Sequence, residues 1–221
     1  MFPITRSGAE CCKWWLISVS KDGGDITMAI TLNTVGAACI LQRPKVALLC
    51  SQKCPGALIL ETYDLCQHFR ATGVTVISGF HSPMEQECLR ILLRSPHPQI
   101  WCLARGLMQR IPSKPVDCQQ AVADGRLLII SPFPSSAKRI AADMAVVRNR
   151  TVAELADAVV IPYAAPGSRM EVLSRELLAT GKPLYTFDHQ SNAELLAAGA
   201  LPVDRLADDE KSRRMQDATD F

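Results

Sequence analysis

The chain has 221 residues, a mass of 24.1 kDa and 48% hydrophobic residues, enough for one sizeable buried core. With 24 Lys+Arg against 22 Asp+Glu the net charge is +2, which excludes nucleic-acid binding by global positive charge and leaves only a local site. A charged fraction of 21%, and no uncharged apolar run of about 18 residues, exclude a disordered chain and a membrane-spanning helix.

Residues 1–43 read as an irregular N-terminal extension. They contain Trp14, Trp15 and the loop-forming Lys21-Asp22-Gly23-Gly24-Asp25, with no consistent period. Their apolar stretch is broken by Glu10 and Lys13, unlike a secretory signal, and Met28 is an alternative start. Nine cysteines, an odd count, then fit a reducing cytoplasm rather than a disulfide framework. Cys50-x3-Cys54 and the vicinal Cys11-Cys12 lack a histidine cluster, so no metal site is expected.

From Lys45 the pattern becomes regular. Short β-branched runs at Val46–Cys50, Val74–Ser78, Gln99–Leu103, Arg126–Ile130, Ala158–Pro162 and Pro183–Phe187 alternate with helical spacing at Ala57–Ala71, Pro83–Leu93, Met170–Thr180 and Ala193–Ala198. Stacked βαβ units of this kind predict a doubly wound α/β domain over residues 44–204, with a mainly parallel, Rossmann-like sheet and helices on both faces. Residues 205–221, polar and mixed in charge, predict a frayed tail.

In an open parallel sheet, ligands bind off the carboxyl ends of the strands, where helix N-termini favour anions. Five segments arrive there. Cys50-Ser51-Gln52-Lys53-Cys54-Pro55-Gly56 offers a hydroxyl and a lysine but neither a dinucleotide fingerprint nor a P-loop. Ser78-Gly79-Phe80-His81-Ser82-Pro83 offers a glycine for close approach, with Ser82 and Glu85 also suited simply to starting a helix. Arg105-Gly106-Leu107 leads to Arg110 and Lys114. Lys138, Arg139, Arg148, Asn149 and Arg150 form a basic group suited to phosphate or, equally, to a solvated helix face. Ala164-Ala165-Pro166-Gly167-Ser168-Arg169-Met170-Glu171 opens the last long helix. The four histidines are scattered and no serine sits in a G-x-S-x-G turn, so no catalytic triad, catalytic residue or cofactor is assigned.

Taken in order, these segments resemble the DNA-processing protein A (DprA, or Smf) family and, more distantly, the LOG-type nucleotide phosphoribohydrolases. VALLCSQKCP (46–55) resembles the family's first strand and G-S/T-R-x loop, and GVTVISGFHSPME (73–85) its GxxVVSGxAxGID segment. LLIISPFP (127–134) resembles LLSEFPP, and RNRTVAELADAVVIP (148–162) is similar, without a gap, to RNRIIAGLSxxxxVVEA. Departures include Cys50 and Gln52 for glycine and arginine, Pro83 and Glu85 for the glycine and aspartate of GID, and Arg169 and Met170 for a Gly-Ser pair.

The resemblance implies a core that binds single-stranded DNA in DNA uptake and recombination, dimerises, and passes the strand to the recombinase RecA. It carries Ser51, Ser78, Gly79, Arg148, Asn149 and Arg150 over as matching positions. The residue reading adds Lys53, Lys138, Gly167 and Ser168 as phosphate or nucleic-acid contacts. Two other readings stay open: a nucleotide sensor, and a phosphoribohydrolase with Arg148 and Glu171 in the acting roles.

Overall fold

The computed structural model describes residues 15–19, 30–107, 111, 118–137 and 142–206. Nine strands among these residues form one sheet: β1 (Trp15–Val19), β2 (Ile30–Val35), β3 (Lys45–Leu48), β4 (Thr75–Ser78), β5 (Gln99–Cys102), β6 (Leu127–Ser131), β7 (Ala158–Val160), β8 (Leu184–Thr186) and β9 (Leu201–Pro202). The order is β1-β2-β6-β5-β4-β3-β7-β8-β9, parallel from β6 through β9, with β1 and β2 added antiparallel at one edge. The helices are α1 (Gly56–Thr72), α2 (Pro83–Leu92), α3 (Cys118–Ala123), α4 (Ala142–Leu155), α5 (Arg169–Ala179) and α6 (Ala193–Ala197). The Rossmann-like α/β fold expected from the sequence is the one observed.

Period-2 alternation splits the core in two. Val46 and Leu48 of β3, Val76 of β4 and Leu127 and Ile129 of β6 pack with Cys66 and Phe69 of α1 and Cys88 and Leu89 of α2. Ala47, Ile77, Ile100, Leu128 and Ile130 face the other way, onto Val152 and Ala153 of α4 and Met170 and Leu173 of α5. Each fully buried Leu or Ile contributes about 1.5–3 kcal/mol relative to exposure, so the central strands anchor the domain. Among the described residues, no helix is long and apolar enough to cross a membrane.

The chain start differs from the expected irregular extension. Trp15–Val19 and Ile30–Val35 pair antiparallel, and β2 docks on β6 through Asn33↔Ser131, Thr34↔Ile130 and Val35↔Ile129. Leu32 is fully buried, so tertiary burial rather than local period defines the strand. A Cβ on Gly36 would lie 2.7 Å from the Leu127 carbonyl oxygen, so the hairpin reaches β6 only through a glycine. The expected frayed tail, 205–221, lies outside the described residues beyond Leu206.

The chain winds outward from β3 to β4, β5 and β6, then returns across the sheet in α4 to place β7 on the other side of β3. The strand order therefore reverses between β3 and β7, which makes that carboxyl edge the switch point where ligands bind in such sheets. Gln99, fully buried, locks β4 to β5: its Oε1 accepts from the Val76 N–H at 2.8 Å, and its Nε2 donates to the carbonyls of Val74 and His97 at 3.4 and 3.3 Å.

Replacing Gln99 with Leu would strand the Val76 N–H in an apolar surround. Gln99→Leu is expected to destabilise the fold by about 1–3 kcal/mol. A lowered urea midpoint with an unchanged slope would register it.

Candidate nucleic-acid interface

Arg148 is the central side chain of the switch edge. It lies on α4, which packs over β3 and β4, and is only 6% exposed. Its guanidinium rests on the backbone of Gly79, the residue after β4: a Cβ there would sit 1.7 Å from one Nη and 2.2 Å from Cζ. Only glycine permits that approach. Arg148 Nε donates to Asn149 Oδ1 at 2.7 Å, and among the described residues no carboxylate and no other hydrogen-bond acceptor meets the guanidinium. Burial pushes the nearby Cys102 thiol up to about 12, against the opposing influence of the Arg148 charge.

The floor under Arg148 is held by Trp101, by the expected Ser78 and by the backbone of Phe80. Trp101 Nε1 donates to the Gly79 carbonyl at 2.7 Å. Ser78, fully buried, accepts the Phe80 N–H at 3.4 Å through Oγ, and so shapes the turn rather than facing a ligand. Phe80, buried, adopts φ +42°, a left-handed conformation that costs a non-glycine residue on the order of 1–3 kcal/mol and persists only where packing imposes it. No period or turn signal announces Trp101 or the backbone of Phe80.

Ser51 and Ser168 meet across the switch point. Ser51 follows β3, and its Oγ accepts from the Ala165 N–H at 2.9 Å and lies 3.3 Å from Ser168 Oγ. The Ser51 N–H donates to the Tyr163 carbonyl at 3.0 Å, fixing the loop after β3 to the loop after β7. Ser168 is the N-cap of α5, accepting from the Glu171 N–H at 3.2 Å. Both hydroxyls are half-buried, and each retains donor capacity toward the edge.

The two helix starts are closed by their own carboxylates. At α2, Ser82 Oγ accepts from Glu85 N–H, while Glu85 Oε2 accepts from His81 N–H at 2.8 Å and Ser82 N–H at 3.0 Å, a complete capping box with Glu85 buried. At α5, Gly167 N–H donates to Glu171 Oε2 at 2.6 Å, and Arg175 donates to Glu171 Oε1 at 2.7 Å. Those amides, which the sequence offers to an external anion, are occupied by internal ones. The Gly167 amide and then the Arg175 guanidinium hold the Glu171 carboxyl below its ordinary range.

The remaining expected contacts separate. Arg150 sits two residues from Arg148 on α4, thus on another face of the helix, and its guanidinium grips Glu176 of α5 at 2.8, 3.0 and 3.2 Å. Asn149, half-buried, holds Arg148 Nε. Lys53 is exposed on the loop between β3 and α1. Lys138, with Arg139, Arg110 and Lys114, lies outside the described residues. The structure thus gathers Gly79, Arg148 and Asn149 at β4 and Ser51, Gly167 and Ser168 at the adjoining β3–β7 edge, and turns Arg150 away to α5.

The profile of the family described as DNA recombination-mediator protein A matches residues 26–208. Among solved structures, DNA processing protein A from Streptococcus pneumoniae superposes with a TM-score of 0.68 at 19% identity, covering 81% of this chain and 66% of that one. DNA processing protein A from Helicobacter pylori, described for its single-stranded DNA binding mode, gives 0.70 at 20% identity, covering 91% and 97%. A molybdenum cofactor binding protein from Rippkaea orientalis gives 0.52 at 15%, covering 77% and 96%, a likeness of fold. No curated protein matches the sequence. The chain thus spans somewhat under two thirds of the pneumococcal structure and nearly all of the Helicobacter one.

The Glu171 cap carries a pH signature. Its carboxyl is held low in the fold, so its stabilising contribution is complete above the unfolded carboxylate range, near pH 4.3, and is lost as pH falls through the lower folded value. Glu171→Gln should therefore be less stable than the parent chain near neutrality, with the gap closing below about pH 4. Paired urea titrations from pH 7 to pH 3 would show the convergence, and a gap constant with pH would contradict it.

Proposed function

This chain belongs to the DNA recombination-mediator protein A family, and we propose that it binds the phosphate backbone of single-stranded DNA along the β4–β3–β7 carboxyl edge, with Arg148 as the anion anchor. The observation that carries the reading is a buried arginine, 6% exposed, without a counter-charge among the described residues. A buried charge left unpaired is unfavourable by several kcal/mol, and a phosphate oxygen pair supplies the planar, bidentate partner that removes the penalty.

Ser51 and Ser168 extend the row of donors toward the next phosphate, and the exposed Lys53 adds long-range attraction above them. Asn149 and Gly79 act through Arg148, the first by fixing Nε and the second by leaving room for the guanidinium. Phosphates carry no base identity, so such a site tolerates sequence, in keeping with a role in DNA processing and recombination. Delivery of the strand to RecA and homodimer formation through the same domain complete the proposal. Glu171 takes no hydrolytic role in it, because both carboxylate oxygens are committed to the start of α5 and to Arg175.

Arg148→Ala is expected to weaken oligo-dT binding at least about tenfold and to lower the salt slope by about 0.7, equally for mixed sequences. Arg148→Lys should recover only part of this, since an ammonium cannot form the paired contact. Arg150→Ala should leave affinity within about twofold, because its charge is spent on Glu176 in a surface ion pair of about 0–1 kcal/mol. Fluorescence anisotropy across a salt series separates the three, and unchanged affinity in Arg148→Ala would remove the proposal.

A further inference from the structure

Arg150 and Glu176 belong to a pattern that phosphate binding does not use. α4 and α5 lie side by side, and two ion pairs cross between them, Asp143 to Arg169 at 4.0 Å and Arg150 to Glu176 at 2.8 Å. Each helix advances seven residues from the first pair to the second, about 10 Å at 1.5 Å per residue, so the two run in the same direction and in step. The signs alternate around the four corners. Asp143 and then Arg150 follow α4, Arg169 and then Glu176 follow α5, and all four side chains are exposed. Pairs so open to solvent contribute little to the stability of a single chain.

At mid-height the face is apolar. Val147 stands four residues after Asp143 and three before Arg150, so it shares one side of α4 with both charges. Val172 stands three after Arg169 and four before Glu176, in the same relation on α5. The two valines are 44% and 54% exposed, and with Leu60 on α1 they are the exposed large apolar side chains among the described residues. Met144, Ala145 and Val146 are only half-buried, so four apolar residues open α4 without one of them being covered by the domain. Further along, Val152 and Ala153 are fully buried against the sheet. An apolar centre with exposed charges around it is the anatomy of a protein–protein interface.

We propose that the α4–α5 face binds the same face of a second copy of this chain, about a two-fold axis that lies in the face and runs parallel to the helices. The half-turn lays α4 on the partner's α5. Asp143 then meets the partner's Arg169, Arg150 meets the partner's Glu176, and Val147 meets the partner's Val172. Every one of the four charges faces one of opposite sign, which is why a second copy is the occupant that fits: the face carries its own complement. Arg175, on the far side of Val172, is held by Glu171 at 2.7 Å and stays outside the pattern. A face two helices wide, of 14 and 11 residues, lies at the small end of specific interfaces, so the dimer forms weakly and dissociates on dilution. Such a pairing rests on the homodimer reading above and not on the phosphate contacts, since Arg148, one residue after Val147, turns to Gly79 instead.

Sedimentation velocity of the full chain from about 1 to about 200 µM tests it. The parent should pass from the 24.1 kDa chain to a species of twice that mass as concentration rises. Val172→Glu, at an exposed site, should keep the circular dichroism and urea midpoint of the parent while weakening the dimer at least about tenfold. Glu176→Arg sets like charges at two corners of the interface and should weaken it likewise. Arg150→Glu combined with Glu176→Arg restores opposite signs within the chain and across the parallel axis, so it should recover the parent dimer. About an axis perpendicular to the helices the same exchange would set carboxylate against carboxylate. A parent chain that stays at 24.1 kDa throughout would overturn this pairing and the homodimer reading together. A dimer unchanged by Val172→Glu and Glu176→Arg would overturn this face alone and leave the homodimer on another surface. Loss of the dimer in the doubly exchanged chain would overturn the parallel axis. Failure of the parent to bind oligo-dT would count only against the phosphate reading, with the sedimentation series still deciding this one.

Discussion

A guanidinium laid flat on the backbone of Gly79 is the contact on which the rest of the edge depends. It demands glycine at the end of β4, a crossover helix that returns over β4 and β3, and a turn rigid enough not to yield under a buried charge. Trp101 supplies part of that rigidity by holding the Gly79 carbonyl, and Gln99 supplies more by pinning β4 to β5 through its hydrogen bonds with the Val76 N–H and the Val74 carbonyl. The left-handed Phe80 marks where the strain of this arrangement is stored.

Charge is then distributed by subtraction. Glu85 and Glu171 satisfy the amides at the starts of α2 and α5, and Glu176 neutralises Arg150. Each pairing removes one possible anion partner, until a buried positive centre remains at Arg148. A chain with net charge +2 needs no broad basic face under this arrangement, because a single desolvated arginine attracts a phosphate more strongly than several solvated lysines. Coulomb attraction at a given distance is several-fold larger at an effective dielectric of about 20 than in bulk water, so shielding concentrates the affinity.

How much of this was legible in the sequence follows from the physics of each signal. The six parallel core strands and the helices α1, α2, α5 and α6 were legible because alternating and 3.6-residue periods are local properties. The hairpin of β1 and β2 was not, since its burial exists only against β6, and β9 is too short to show a period. Gly79 and Arg148 could be singled out one at a time by residue type. Their contact could not, because it joins positions 69 residues apart through a crossover whose landing place no local pattern encodes. Arg150 shows the converse: the triplet Arg148-Asn149-Arg150 looks like one basic group in linear text, but helical geometry divides it between two neighbours.

The first loop adds the last constraint. The family pattern that this chain resembles places a glycine and an arginine on either side of the serine, where this chain has Cys50 and Gln52. With glutamine at position 52, the shielded positive charge of the described edge is Arg148 on α4, a position the family pattern shares, while Ser51 keeps its ties to Ala165, Tyr163 and Ser168. Cys50 in place of the glycine puts a buried thiol after β3, its Sγ 3.7 Å from the Tyr163 carbonyl oxygen. The serine hydroxyls of the switch point therefore join the β3–α1 loop to the start of α5, while the shielded guanidinium stands apart on the crossover helix.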